Sequence, residues 1–189
     1  SSMRVNMGNI ENKGIELTIN ATPVQLRDFS WQTTLTYTKN KNKVLKLSEG
    51  KSFVEDGKYL IEEGSPLGQW FGQKALGIYA TDEANAYIKN SDGSFGDRLI
   101  PVYQRDPNNY NNYIYGSNGK PIFSHYETKG GQKYAGDVGQ MTTAGSVSKG
   151  GDIIWDDLDH DGVIGDSDRR ILGNGMPTWY MGWTNYLNY

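Results

Sequence analysis

The sequence predicts an all-β fold, with antiparallel strands of a partial transmembrane β-barrel carrying a long extracellular loop region. Three observations point there. Segments near both ends alternate apolar and polar residues strictly. The composition, with 24 Gly, 13 Tyr and 5 Trp among 189 residues, favours pleated structure and polar loops over helix. Between the alternating segments lie about 100 residues without such a pattern, too long for an ordinary connection and therefore a structured elaboration.

The first element is the stretch MRVNMGNIENKGIELTINATPVQ from Met3 to Gln25. Ile15, Leu17, Ile19 and Ala21 fall on one face, with Glu16, Thr18 and Asn20 on the other. Residues from Thr22 to Asp28, with Pro23, form a short turn. A second strand then runs from Phe29 to Thr38. Its Phe29, Trp31, Thr33, Leu35 and Tyr37 share a face, and Ser30, Gln32, Thr34, Thr36 and Thr38 share the other. Such a hairpin could line a soluble sandwich or a lipid-facing wall. The uniform Thr, Ser, Gln, Asn and Glu of the polar face suit a wet lumen, and the aromatics near strand ends suit interfacial girdles. Lys39, Lys41, Lys43 and Lys46 extend the second strand, either as its solvated end or as a contact for anionic headgroups.

From Ser48 to Gly150 the alternation fades. Asp82 to Tyr87, with Thr81 as cap, is expected to begin a short helix. The tyrosines 103, 110, 113, 115, 126 and 134 stand among Asn and Asp, as in sugar-binding surfaces, or else form the region's own small core. A third alternating segment, WYMGWTNYLNY, opens at Trp179. There Trp179, Met181, Trp183, Leu187 and Tyr189 share a face interrupted by Asn185.

The densest chemistry lies in GDIIWDDLDHDGVIGDSDRRILG, from Gly151 to Gly173. Asp157, Asp159 and Asp161 stand two apart, Gly162 follows, and Asp168 closes a twelve-residue window. A calcium ion needs about six to eight oxygens at roughly 2.3–2.6 Å, and a turning loop supplies them from alternate positions. On that template Asp157, Asp159, Asp161 and Asp168 give carboxylates and Val163 its carbonyl. Gly162 makes the turn, Ile164 points inward and His160 faces solvent. The twelfth position holds Asp where Glu is usual, and Gly165 at the ninth can act only through water. The competing reading is an acidic surface turn whose carboxylates satisfy backbone amides. The ion would be structural, because the pattern leaves no open coordination position and no adjacent base.

Several classes are disfavoured. A net charge of −3 with dispersed Lys and Arg argues against nucleic acid. No apolar run reaches the ~20 residues of a spanning helix, although a spanning strand needs only about 9–11. With no Cys, and with His125 and His160 as the only histidines, no nucleophile–base grouping announces an enzyme. The compartment cannot be read from cysteines.

Four stretches together resemble the C-terminal barrel region of the SusC/RagA-type TonB-dependent outer-membrane receptors. They are NMGNIENKGIELTINATP from Asn6, FSWQTTLTYTKNKNKV from Phe29, EGSPLGQWFGQKALGIYATDEA from Glu63, and GDIIWDDLDHDGVIGDSDRRILGNGMPTWYMGWTN from Gly151. The resemblance implies a barrel of about 22 strands with a plug in its lumen, located in the outer membrane. It implies import of glycans or peptides, energy relayed through TonB by way of the plug, and a SusD-like surface lipoprotein as partner. No plug or TonB-contact segment is seen here, so the chain is expected to be a piece of a longer protein. Residues 1–47 would then give two barrel strands with a short periplasmic turn, 48–175 the extracellular region with the calcium-type loop 157–168, and 176–189 a further strand. The alternative is a soluble, calcium-stabilised β-module that binds carbohydrate or protein.

Overall fold

The computed structural model describes residues 8–189, so Met3–Met7 of the first expected strand stretch lie outside the described residues. The described chain is all-β and antiparallel in nearly all its pairings, and it divides into two compact units. One comprises the chain up to Phe71 together with Ile171–Tyr189; the other is Gly72–Arg170. No helix among the described residues is long and apolar enough to cross a membrane.

The first unit is built on a three-stranded sheet. Its strands are β1 (Gly8–Gln25), β2 (Ser30–Leu47) and the last strand (Trp179–Asn188), with β2 in the centre. Both β1 and β2 are 18 residues long. At ~3.3 Å per residue each reaches ~60 Å, about twice a hydrocarbon core. They outrun the alternating segments because ladder hydrogen bonds form regardless of side-chain polarity. The turn between them is only Leu26–Phe29, closed by a Leu26 N–H to Phe29 carbonyl bond of 2.7 Å. Pro23 falls where the register shifts between Ala21 and Val24; lacking an N–H, it fits a bulge rather than a regular ladder.

The registers assign the faces. Leu17 lies opposite Tyr37, which lies opposite Met181; Ile19 lies opposite Leu35, which lies opposite Trp183; Trp31 lies opposite Leu187. The apolar residues of all three strands therefore share one side. That side is exposed: Ile15 is 69 % accessible, Leu17 50 % and Trp183 68 %. On the reverse side, Thr18 faces Thr36 and Asn20 faces Thr34, with Thr184 beyond. The Thr34 hydroxyl donates to Asn20 Oδ1 at 2.8 Å.

Near the far end of β2 the polar side is covered by the same unit. Val44 and Leu47 pack with Ile61, Phe53 and Leu67, and Asn42 Oδ1 accepts the Leu67 N–H at 2.6 Å. The hairpin Phe53–Glu55 with Tyr59–Ile61 supplies this cover.

The second unit is assembled from short strands joined by distant pairings, such as Ala75–Ile78 with Ile153–Trp155. Its core is Tyr79, Tyr87, Met141, Ile154 and Ile164, with Ala84, Phe95 and Trp155 against it. Asn85 is fully buried and fully engaged: its amide nitrogen donates to the carbonyls of Met141 and Ser148, and its Oδ1 accepts the Met141 N–H. The helix expected from Asp82 to Tyr87 is a single 3-10 turn, Asp82–Ala84. Thr81 makes no capping bond there, since its hydroxyl pairs with the Tyr103 hydroxyl at 2.5 Å.

Candidate functional site

The acidic loop grows out of the second unit's core. Ile164 is buried in that core, as its place in the sequence pattern predicts, and His160 is exposed. The loop is tied on both flanks: the Thr142 N–H donates to the Gly162 carbonyl, and the Phe95 N–H to the His160 carbonyl. Gly162 turns with φ +80°, and a Cβ there would come within 2.5 Å of the Phe95 ring. Glycine is thus required for conformation and for room.

Within this frame, ligand oxygens of Asp157, Asp159 and Asp161 all lie within 4.8 Å of one another. Oxygens sharing one calcium ion at 2.3–2.6 Å can be no more than about 4.6–5.2 Å apart, so a single ion can reach all three. Asp157 is the buried member, 6 % exposed; its Oδ2 accepts the Gly162 N–H, while its Oδ1 is buried with no hydrogen-bond partner. A buried, unsatisfied carboxylate oxygen beside two more carboxylates lacks a positive partner, and a hard cation is the chemistry that fits.

Burial raises the Asp157 pKa above the usual carboxylate range, and the neighbouring carboxylates add to it. Asp159 shifts the other way, held down by the Ser167 hydroxyl.

Asp168 sits differently. It is completely buried, and its two oxygens accept the N–H groups of Leu158, at 2.8 Å, and Gly165, at 2.7 Å. It thereby pins the end of the loop to its beginning, outside the converging trio. Val163 is beside the trio, its N–H donating to Asp161 Oδ1 at 2.6 Å. Arg170 pairs with Asp156, and Gln73 donates to the Gly165 carbonyl at 2.8 Å.

The wall of the first unit carries a second feature that alternation alone does not reveal. Thr33 and Asn185 interrupt its apolar face, and each serves an indole. Trp31 Nε1 donates to Asn185 Oδ1 at 2.9 Å, and Trp183 Nε1 donates to Thr33 Oγ1 at 2.8 Å. Both indole N–H groups are therefore satisfied within the sheet, which a face turned toward hydrocarbon demands.

The tyrosine-rich region gathers part of its side chains around a cleft of about 370 Å³, lined by Tyr103, Arg105, Tyr110, Tyr113 and His125. The Arg105 guanidinium lies 3.7 Å over the Tyr113 ring and donates to its hydroxyl at 2.8 Å. Tyr103, Phe123 and Tyr126 meet ring against ring, whereas Tyr110 and Tyr115 stand exposed.

An antiparallel wall with an accessible apolar side and a polar side, joined in one chain to a large structured excursion, is the makeup of an outer-membrane barrel receptor segment. Comparison with known proteins gives it a family. Aligned along its whole length, over 190 positions, the chain is 36 % identical to TonB-dependent receptor P39 of Formosa agariphila, of which it covers 16 %. It is 26 % identical over 198 residues to TonB-dependent receptor P3 of the same organism, covering 14 % of that protein. To TonB-dependent receptor SusC of Bacteroides thetaiotaomicron it is 28 % identical over 131 residues, 69 % of this chain and 11 % of that one. No family model matches the chain. The chain belongs to the SusC-type TonB-dependent receptors, a family of outer-membrane transport proteins, and covers between 11 % and 16 % of the length of the relatives it matches.

Proposed function

We propose that this chain supplies part of the barrel wall and a structured extracellular region of an outer-membrane receptor that imports glycans or other oligomeric nutrients. The observation that carries this reading is the apolar face on which Ile15, Leu17, Met181 and Trp183 are exposed around a half-buried Leu35, in a chain related along its length to TonB-dependent receptors. The short Leu26–Phe29 turn lies on the periplasmic side and the long excursion outside, following the asymmetry of such barrels. TonB supplies energy through a plug, a SusD-like lipoprotein covers the mouth, and the chain catalyses no reaction of its own. The cleft at Tyr103, Arg105 and Tyr113 has the aromatic and polar groups that contact sugars, and its neighbourhood is where specificity would vary.

In this reading a calcium ion holds the loop from Asp157 to Asp168. Asp157, Asp159 and Asp161 bind it, Val163 offers its carbonyl, and Asp168 closes the loop or joins the ion's shell. The ion neutralises the trio and fixes the strands to either side. It acts as a structural clip in a compartment where calcium is plentiful, so even weak affinity suffices.

Fractionation and purification of the full-length protein test the main reading. It should sediment with outer membranes, require detergent, co-purify with a surface lipoprotein and bind oligosaccharide. Recovery as a monodisperse soluble protein without detergent would favour the soluble β-module instead.

A further inference from the structure

The outward side of the sheet changes character along its length. Trp31, Leu35 and Tyr37 on β2 stand opposite Leu187, Trp183 and Met181. Higher up, the Tyr37 and Trp179 rings stack with centroids 6.3 Å apart and planes 26° from parallel. Immediately beyond come Lys39, Lys41 and Lys43, two residues apart and therefore on the same side, all exposed. Lys39 lies opposite Ile15 and Trp179, and Lys41 lies directly opposite Lys13. Glu11, opposite Lys43, is the acid on this stretch of β1, and it pairs with Lys13 at 2.9 Å. Among the described residues on this side of β1 and β2, four cations thus share the carboxylate of Glu11.

This arrangement is costly for a sheet alone, since like charges placed directly opposite destabilise the pair. Packing of the chain on itself does not explain it. The reverse side of the same stretch holds the Asn42 to Leu67 bond and the Val44–Leu47 core, while the lysines point away. The lower end of the wall carries only one cation and one anion, Arg27 and Asp28.

We infer that Lys13, Lys39, Lys41 and Lys43 form a binding surface for phosphate groups on the headgroups of outer-leaflet lipid. This rests on the reading of the sheet as a lipid-facing wall. Along a strand tilted about 40°, Lys39 stands ~5 Å and Lys41 ~10 Å above the Tyr37 level. Headgroup regions are about 5–8 Å deep on each side of the hydrocarbon, so Lys39 falls within that layer and Lys41 just above it, where its long side chain reaches back to the phosphates. The oil-facing residues, the aromatic pair and the cations occur in the order in which hydrocarbon, interface and anionic headgroups are met.

The test uses full-length protein in neutral detergent, with native mass spectrometry reading retained lipid. Diphosphorylated lipid A, its dephosphorylated counterpart and inorganic phosphate are the probes. The wild type should retain the phosphorylated lipid at least about tenfold better than the dephosphorylated one. The preference should weaken as salt rises from 0.05 to about 0.3 M, as screening requires. Replacing all four lysines (Lys13→Gln, Lys39→Gln, Lys41→Gln, Lys43→Gln) should lower apparent affinity by about tenfold or more; Lys89→Gln, Lys129→Gln and Lys133→Gln together should leave it unchanged. Equal retention of both lipids, an unaffected quadruple variant, or displacement by millimolar inorganic phosphate would overturn the inference. If the quadruple variant does not fold, the dephosphorylated-lipid and salt arms decide on the wild type. Quenching of tryptophan by brominated acyl chains without any headgroup preference would leave the wall standing and remove only the lysine surface.

Discussion

Asp157 concentrates the energetic problem of the acidic loop. Its carboxylate is buried, one oxygen has no partner, and two more carboxylates converge on it. Asp159→Asn with Asp161→Asn should therefore lower thermal stability in calcium and change it little in chelator. Calorimetry with and without chelator measures this, and equal losses in both would remove the ion. The pH dependence follows in sign. A folded-state pKa raised above the ordinary carboxylate value means the metal-free loop is favoured below that value and loses stability as pH rises through the raised one. Calcium needs the ionised carboxylate and competes with the proton. The stabilisation added by calcium should thus grow as pH rises from about 4 to about 7, read as the difference in Tm between calcium and chelator. Sequence spacing made the trio, the Gly162 turn and the inward Ile164 legible, because each follows from position in a short loop. It did not reveal that Asp168 spends both oxygens on Leu158 and Gly165, nor that Asn85 bridges Met141 and Ser148. Those depend on which backbone groups a fold brings near.

At the scale of elements, β2 is the strand on which the wall depends, paired on both sides. Leu35→Arg on its outward face should destabilise the barrel by about 2–4 kcal/mol, whereas Thr36→Arg on the polar face should cost far less. Urea unfolding in lipid vesicles distinguishes the two. Asn185→Leu strips the Trp31 indole of its acceptor and should cost about 1–3 kcal/mol despite adding apolar surface; an unchanged or higher stability would mean that this indole meets water. Alternation located all three long strands. Its strict form stops short of the ends of β1 and β2 at Asn9–Gly14 and Lys39–Leu47, which pair through backbone groups while charged and polar side chains stand among Ile10, Val44 and Leu47. The expected helix at Asp82 failed for a related reason. Thr81, the expected cap, is drawn to Tyr103, and Asn85, inside the expected helix, is drawn to Met141 and Ser148 by tertiary contacts.

For the whole molecule, the two units present different kinds of surface. In one, large apolar side chains line a whole exposed side of a long-stranded sheet; the other gathers Tyr79, Tyr87, Met141, Ile154 and Ile164 into a buried core while leaving scattered residues such as Ile78 and Tyr110 exposed. The many two- and three-residue strands of the second unit were not legible, since pairings such as Thr142 with Val163 join short segments too brief for periodicity to show. In the proposed function the first sheet separates lipid from water. Environment-sensitive fluorophores on single cysteines, placed at Leu17, Leu35 and Trp183 and at Thr18, Thr36 and Thr184 of the full-length protein in bilayers, test it most directly. Nitroxide on the acyl chains should quench the first three, and a water-soluble quencher alone the second three. Aqueous quenching at all six positions would contradict it.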